Sequence, residues 1–247
     1  MSNSKDFEEK IILGSWTEND INNLIDLSKS KEISGERIDY ISKKFLNTRY
    51  MENTLTGNNS TKEMLTINFD GVDCFTYIDY VQSLNLSSNY DDFKNNLIKL
   101  RYKEGIVDYK KRNHFFSDWT VNNSKYIHDI TSFVGSGTNI TKLKVLNKKN
   151  IDSVYLEGIP LTERNITYIP TNKINKDILD KLKTGDYIGI YSLKEGLDVS
   201  HTGIIIKNNS EVLFRHASSK SIYRKVVDEN LMEYIKDKPG IIVYRSL

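Results

Sequence analysis

Apolar residues recur three and four positions apart through the N-terminal third of the chain and in short alternating runs through the C-terminal third. That division predicts helices first and an antiparallel sheet last. Thr17 can cap a helix with Ile21, Leu24 and Ile25 on one face, and Ser34 a second with Ile38, Ile41 and Phe45. After Phe45 the period stops in a stretch rich in Asn, Thr and Gly that includes Tyr50. Leu65, Ile67 and Phe69 then alternate as a short strand. Asp70-Gly71 reads as a turn, and from Asp73 onward Cys74, Ile78 and Val81 form one stripe of an amphipathic helix. Asn89 or Asp91 can start another helix, carrying Phe93, Leu97 and Leu100.

Between Tyr109 and Asn123 aromatic residues alternate with polar ones without a clean period, which suits either a packed irregular loop or one wall of a cleft. From Ser132 to Arg164 the pattern is weak, with GSGTN as a loop and strand-like alternation around Leu143 and Val145. Asn175 then caps a helix with Ile178, Leu179 and Leu182, Gly185 closes it, and YIGIYSL follows as a strand. Two strands flank Asn208-Asn209, Asp228 caps a helix with Leu231, Tyr234 and Ile235, and Pro239-Gly240 turns the chain into a last strand, GIIVYRSL. The pattern predicts an α+β domain, N-terminal helices packed on an antiparallel β-sheet.

With 247 residues and 38% hydrophobic content, the chain can bury a sizeable core as one elaborated domain, without help from a metal or a disulfide. Lys+Arg 35 nearly balance Asp+Glu 33 with no long run of either sign, so no electrostatic footprint for nucleic acid is present. No apolar run approaches the roughly 18–20 residues that span a bilayer. The start, MSNSKDFEEKIIL, has acids where a signal peptide is apolar. The chain therefore reads as soluble, with no integral membrane segment, and is compatible with the mature part of an exported protein.

The chain holds one cysteine, so no internal disulfide can form. Cys74 falls at the first turn of its helix, where exposed N–H groups and the positive dipole end favour a thiolate and lower the thiol pKa. The bland alternative is a buried structural cysteine. The second informative stretch is HTGIIIKNNSEVLFRHASS. If Asn208-Asn209 form a two-residue hairpin loop, Lys207 faces Ser210, Ile205 faces Val212 and His201 faces His216, with the histidine Cβ atoms about 4.5–5.5 Å apart. Gly203 would leave space beside His201. A thiol, a base to take its proton and a polar group to orient that base are the parts of a thiol hydrolase. Two partly buried histidines satisfied by backbone are the alternative. The same three residues could hold zinc, although no HExxH or paired CxxC supports it. His114 and His128 flank the aromatic segment and read individually as structural or surface residues. Phe115, Phe116, Asp118 and Trp119 offer stacking faces and an acceptor for a sugar or amide.

DGVDCFTYIDYV resembles the DCSG-type helix of NlpC-type, papain-like cysteine peptidases, and HTGIII followed by RHASS resembles their HVGIY…HA hairpin. Within that superfamily the chain is similar to the bacterial N-acetylmuramoyl-L-alanine amidase-like branch. The likeness runs through LNTRYMENTL, HFFSDWTVNN, YIPTNKINKDILDKLKTGDYIGIYS, EGLDVSHTGIII, RHASS and GIIVYR, about residues 40–247. Phe75-Thr76 replaces Ser-Gly after the cysteine, and Asn47-Thr48-Arg49-Tyr50 lacks the Gly and Pro that precede the superfamily's tyrosine.

The resemblance implies a papain-like fold, with residues 1–48 as packing helices and 49–247 as the core, carrying an inserted cleft segment at 103–170. It implies Cys74 as nucleophile, His201 as general base and His216 as the orienting residue. Tyr50, Asp73, His114, Phe116, Asp118, Trp119 and Ser218 would contact substrate. The implied partners are peptidoglycan fragments, cleaved at the lactyl amide between N-acetylmuramic acid and L-Ala. Cleavage inside the stem peptide is the alternative, followed by acyl transfer and by a non-catalytic cell-wall-binding module. No cofactor or metal is implied, and a monomer working in the periplasm or outside the cell is expected.

Overall fold

The computed structural model describes residues 7–208 and 211–247. Strand β1 (Glu8–Ile12) precedes helices α1 (Glu18–Lys29) and α2 (Ser34–Lys43); β2 (Arg49–Tyr50), β3 (Met64–Asn68) and β4 (Gly71–Val72) lead into α3 (Cys74–Asn85) and α4 (Tyr90–Arg101). The middle holds α5 (Phe116–Asn122), β5 (Ile127–Asp129), α6 (Thr131–Gly135), β6 (Ile140–Leu146) and β7 (Thr162–Pro170). The last third is α7 (Lys176–Lys181), β8 (Tyr187–Tyr191), β9 (Val199–Asn208), β10 (Glu211–Ala217), β11 (Val226–Asn230), α8 (Leu231–Ile235) and β12 (Gly240–Ser246).

Helix starts follow side chains that satisfy otherwise orphaned N–H groups. The Thr17 hydroxyl accepts the Asp20 N–H at 3.1 Å, Asn89 accepts that of Asp92 at 2.9 Å and Asn175 that of Ile178 at 3.0 Å. Two expected caps are corrected. Ser34 is the first residue of α2, not its cap, and Ile33 stands before it with no side-chain bond. Asp228 lies in β11, held by the Arg215 guanidinium at 2.7 and 2.9 Å, and Asn230 caps α8 by accepting the Glu233 N–H at 3.1 Å.

Eight strands form one sheet in the order β11-β10-β9-β8-β12-β7-β6, with β5 pairing on β12, and every pairing recorded in it is antiparallel. Alternation along β8, β9 and β12 feeds two cores. Tyr187, Ile204, Ile206 and Ile242 pack with the N-terminal helices, including Ile21, Ile38, Tyr77, Val81 and Leu97. Ile188, Ile190, Ile205, Phe214 and Ile241 pack with Ile178, Leu182, Leu231 and Ile235 from α7 and α8. Burial on both faces explains why YIGIY shows no polar alternation. The same sandwiching encloses α3 from Thr76 to Asn85, so that it is a central helix and not the half-exposed amphipathic one its stripe predicted. Parallel pairing of β1 with β3 was not foreseeable from the alternation.

Candidate active site

Asp73 places Cys74 at the head of α3. Its carboxylate accepts the Phe75 N–H at 2.9 Å, the Thr76 N–H at 2.7 Å and the Thr76 hydroxyl at 2.9 Å, while Thr76 Oγ1 takes the Asp73 N–H at 3.0 Å. Asp73 is thus engaged as a capping box, although it was expected among the substrate contacts. Cys74 is half-buried. Burial first, and then the Asp73 charge, push its thiol up to about 12, against the Thr202 N–H and hydroxyl and its own N–H, which favour the thiolate. The thiol pKa is therefore raised and not lowered as the helix start predicted, because desolvation outweighs the dipole here.

Strand β9 backs onto this helix end, with the Thr202 hydroxyl donating to the Cys74 carbonyl at 2.8 Å. In the β9–β10 hairpin Asn208 faces Glu211, Ile205 faces Phe214 and Ile204 faces Arg215, two residues out from the expected register. Of the expected Asn208-Asn209 turn, Asn208 is the last residue of β9, and Asn209, like Ser210 beyond it, lies outside the described residues. A shift of two leaves each side chain on its face. His201 and His216 consequently still meet, as diagonal neighbours, with Nε2 of the first 2.7 Å from Nδ1 of the second and ring planes at 88°. The space expected at Gly203 is filled, since a Cβ there would stand 2.5 Å from the Phe214 ring.

The chain of contacts continues beyond the two histidines. His216 Nε2 lies 2.9 Å from Glu229 Oε2, and Glu229 Oε1 accepts from Lys220 Nζ at 2.6 Å. Burial pushes both imidazoles down to about 3; for His201 the neighbouring His216 and Lys238 add to this and Glu229 opposes it. Both rings are therefore neutral near pH 7. Tyr234 of α8 packs against them at 6.0 and 4.8 Å between centroids, and burial first, then the Glu229 and Cys74 charges, raise its phenol pKa. Tyr50 lies across the site under the Arg224 guanidinium at 4.7 Å. Burial, then the Cys74 and Asp73 charges, push its hydroxyl up to about 12, so it keeps its proton and remains a donor.

Sequence reasoning missed Glu229, Lys220, Tyr234 and Thr202. Only the alternation of VVDEN hinted at Glu229, and it could not give the pairing that sets Glu229 opposite Phe214 and hence next to His216.

The segment expected to supply a cleft wall lies elsewhere. Its core is a helix, α5, and Phe116 and Trp119 are 1% and 0% exposed. Phe116 stacks on Tyr244 at 4.2 Å and lies over Gly189, where a Cβ would come within 2.6 Å of its ring. Trp119 packs edge-on to Tyr187 at 5.1 Å and to Phe75 at 6.3 Å, so it backs the residue after Cys74 without a face free for a sugar. Asp118 pairs with Arg164 at 2.9 Å. His114 donates to the Tyr109 carbonyl at 2.8 Å, with burial pushing it down to about 4. His114, Asp118 and Arg164 line a separate hollow of about 280 Å³ that includes neither Cys74 nor His201. Ser218 is fully buried, its N–H bonded to the Lys225 carbonyl at 2.9 Å. A larger cavity of about 490 Å³, between α2 and the segment around Gly185, also excludes the cysteine–histidine cluster. Among the described residues no three His, Cys, Asp or Glu side chains are grouped to hold a metal ion, so Cys74, His201 and His216 do not form the ligand set that zinc would require.

A family model described as N-acetylmuramoyl-L-alanine amidase-like matches residues 40–241. Among solved structures, a Legionella pneumophila protein is 28% identical, with 93% of this chain and 94% of that one covered and a TM-score of 0.78. An N-acetylmuramoyl-L-alanine amidase from Bacteroides uniformis is 29% identical, with 87% and 99% covered and a TM-score of 0.74. A Bacteroides fragilis protein provisionally named a xylanase is 30% identical over 83% and 98%, with a TM-score of 0.69. No sequence match was found among curated proteins.

Proposed function

The chain belongs to the N-acetylmuramoyl-L-alanine amidase-like family, and from that premise we propose that it is a cysteine hydrolase cleaving the lactyl amide between N-acetylmuramic acid and L-Ala of cell-wall muropeptides. The observation that carries the cysteine mechanism is the hydrogen-bonded His201–His216 pair on a strand whose next residue, Thr202, bonds the Cys74 carbonyl. With a protonated thiol and neutral rings at rest, the reaction starts from a neutral pair, not a preformed ion pair. Cys74 Sγ attacks the amide carbon as its proton passes to His201 Nδ1. His201 returns that proton to the nitrogen of L-Ala, the C–N bond breaks, and a thioester on Cys74 remains. Water, deprotonated by His201, then attacks the thioester and releases the muramic acid carboxylate and the thiol.

The oxyanion of each tetrahedral intermediate needs donors, and the Cys74 N–H at the helix start and the protonated Tyr50 hydroxyl are the candidates. One such donor is typically worth about 3–4 kcal/mol. Glycosidic cleavage, which the Bacteroides fragilis name suggests for that protein, requires two carboxylates about 5–9.5 Å apart flanking the bond. Here Asp73 is engaged in capping and Glu229 in holding His216 and Lys220, which favours amide chemistry. A cell-wall substrate would be met in the periplasm or outside the cell, and no helix among the described residues is long and apolar enough to cross a membrane.

Mass spectrometry of products from a defined disaccharide-peptide decides the bond. The proposal expects a disaccharide with a free lactyl carboxylate and a peptide beginning with a free L-Ala amine. L-Ala retained on the sugar would make the enzyme an endopeptidase, and an unchanged substrate would overturn the assignment.

A further inference from the structure

We infer that Glu229 is a positioning residue for this reaction: by accepting the Nε2 proton of His216 it fixes the one combination of ring tautomers in which His201 is free to act as a base. The inference rests on the cysteine-hydrolase reading and adds a residue outside the Cys74, His201 and His216 set that the family likeness implied.

Protons can be counted along one line of contacts. Lys220 Nζ holds Glu229 Oε1 at 2.6 Å, leaving Oε2 to face His216 Nε2 at 2.9 Å as an acceptor. The nitrogen facing it must therefore carry the proton. A neutral imidazole has one N–H, so His216 Nδ1 presents a lone pair to His201 Nε2 at 2.7 Å. His201 Nε2 must then be the N–H of its own ring, and Nδ1 is left with the lone pair, the atom to which the cysteine-hydrolase reading assigns the Cys74 proton.

Reversing the His216 tautomer reverses every member. His216 Nδ1–H would donate to His201 Nε2, His201 would carry its proton on Nδ1, and the thiol would meet a donor where it needs an acceptor. Without Glu229 this reversal has little to oppose it, because His216 is 1% exposed and water has poor access to its Nε2. When His201 becomes an imidazolium during the reaction, its Nε2–H still donates to His216, whose polarisation toward Glu229 favours the positive charge. Lys220, which also lies over the Tyr234 ring at 4.7 Å, keeps the carboxylate from swinging away.

The test uses the full chain, labelled with 15N-histidine, as wild type, Glu229→Ala and Glu229→Gln. Nitrogen chemical shifts report the tautomer of each ring whether or not the protein turns substrate over. Wild type should show His216 and His201 both protonated at Nε2. Glu229→Ala should shift His216 toward the Nδ1–H form and lower kcat about 10–100-fold, the range seen when the hydrogen-bond partner behind a metal-bound histidine is lost and less than for a group that touches the base itself, with KM little changed. Glu229→Gln, whose side-chain carbonyl can still accept, should keep the wild-type tautomers and recover most of kcat. Wild-type tautomers and kcat in Glu229→Ala would overturn the inference, as would a wild-type His216 protonated at Nδ1 or a Gln variant as slow as the Ala variant with its tautomers intact. An inactive wild type would sink the hydrolase reading instead, and the tautomers would still decide whether Glu229 sets them.

Discussion

Two regions of this molecule carry histidines among aromatic residues, and they have opposite fates. At the open end of the β9–β10 hairpin, His201 and His216 bond each other, then a carboxylate, then a lysine, and Thr202 of β9 bonds the Cys74 carbonyl. In the segment leading into α5, His114 has a single backbone partner, Asp118 is paired with Arg164, and Phe116 and Trp119 fill the core. Both regions are rich in aromatic rings, so composition does not separate them. What does is polar connectivity: Lys220, Glu229, His216 and His201 form one continuous line of side chains along which the position of one proton fixes the next, whereas isolated pairs under a helix only satisfy burial.

The comparison breaks most sharply on the histidines. His201→Ala should abolish muropeptide hydrolysis, whereas His114→Ala should leave kcat/KM per folded molecule unchanged; comparable losses in both would erase the distinction. His216→Ala should leave a measurable residue of activity, because an orienting group assists without transferring the proton itself. If His216 proves indispensable and His201 replaceable, the roles are reversed. For the aromatic region the effect moves from rate to stability. Trp119→Ala should cost about 3–5 kcal/mol in unfolding free energy, as loss of a large buried ring does, with activity per folded molecule retained. A kcat/KM loss at unchanged stability would return Trp119 to the cleft.

The smallest effect is the pH dependence of stability. Burial holds His201 and His216 down to about 3, below the ordinary histidine value, so between that value and about 6.5 the unfolded chain binds more protons than the folded one. Their contribution is complete above about pH 6.5 and is lost as the pH falls. His201 keeps partial exposure, which reduces its share. Urea midpoints should therefore fall less between pH 7 and 5 for His216→Gln than for wild type; parallel lines would place His216 in a wetter environment than its burial indicates.

Much of the fold and the place of Cys74 at a helix start were legible because they are local. Thr17, Asn89 and Asn175 cap the helices they precede, and Cys74 heads the helix predicted for it. The failures involve partners distant in the chain. Asp228 and Asn230 are both good capping residues, and only Arg215, bonded to the first, decides that the second caps α8. A register error of two residues was harmless for which face the histidines share. The space expected at Gly203 failed for a different reason, because the size and direction of the Phe214 ring that fills it are tertiary packing that the pairing alone does not give. The thiol pKa was misjudged because a helix end is visible in sequence and the desolvation around it is not. Glu229 was unreadable for the same kind of reason, since it reaches His216 only through the pairing of β10 with β11.

The central claim, that the hairpin histidines serve a cysteine nucleophile, is tested most directly by kcat/KM of Cys74→Ala on a defined muropeptide, with its unfolding midpoint measured alongside. The account predicts a folded protein with no detectable hydrolysis. A folded Cys74→Ala turning over at near the wild-type rate would contradict it.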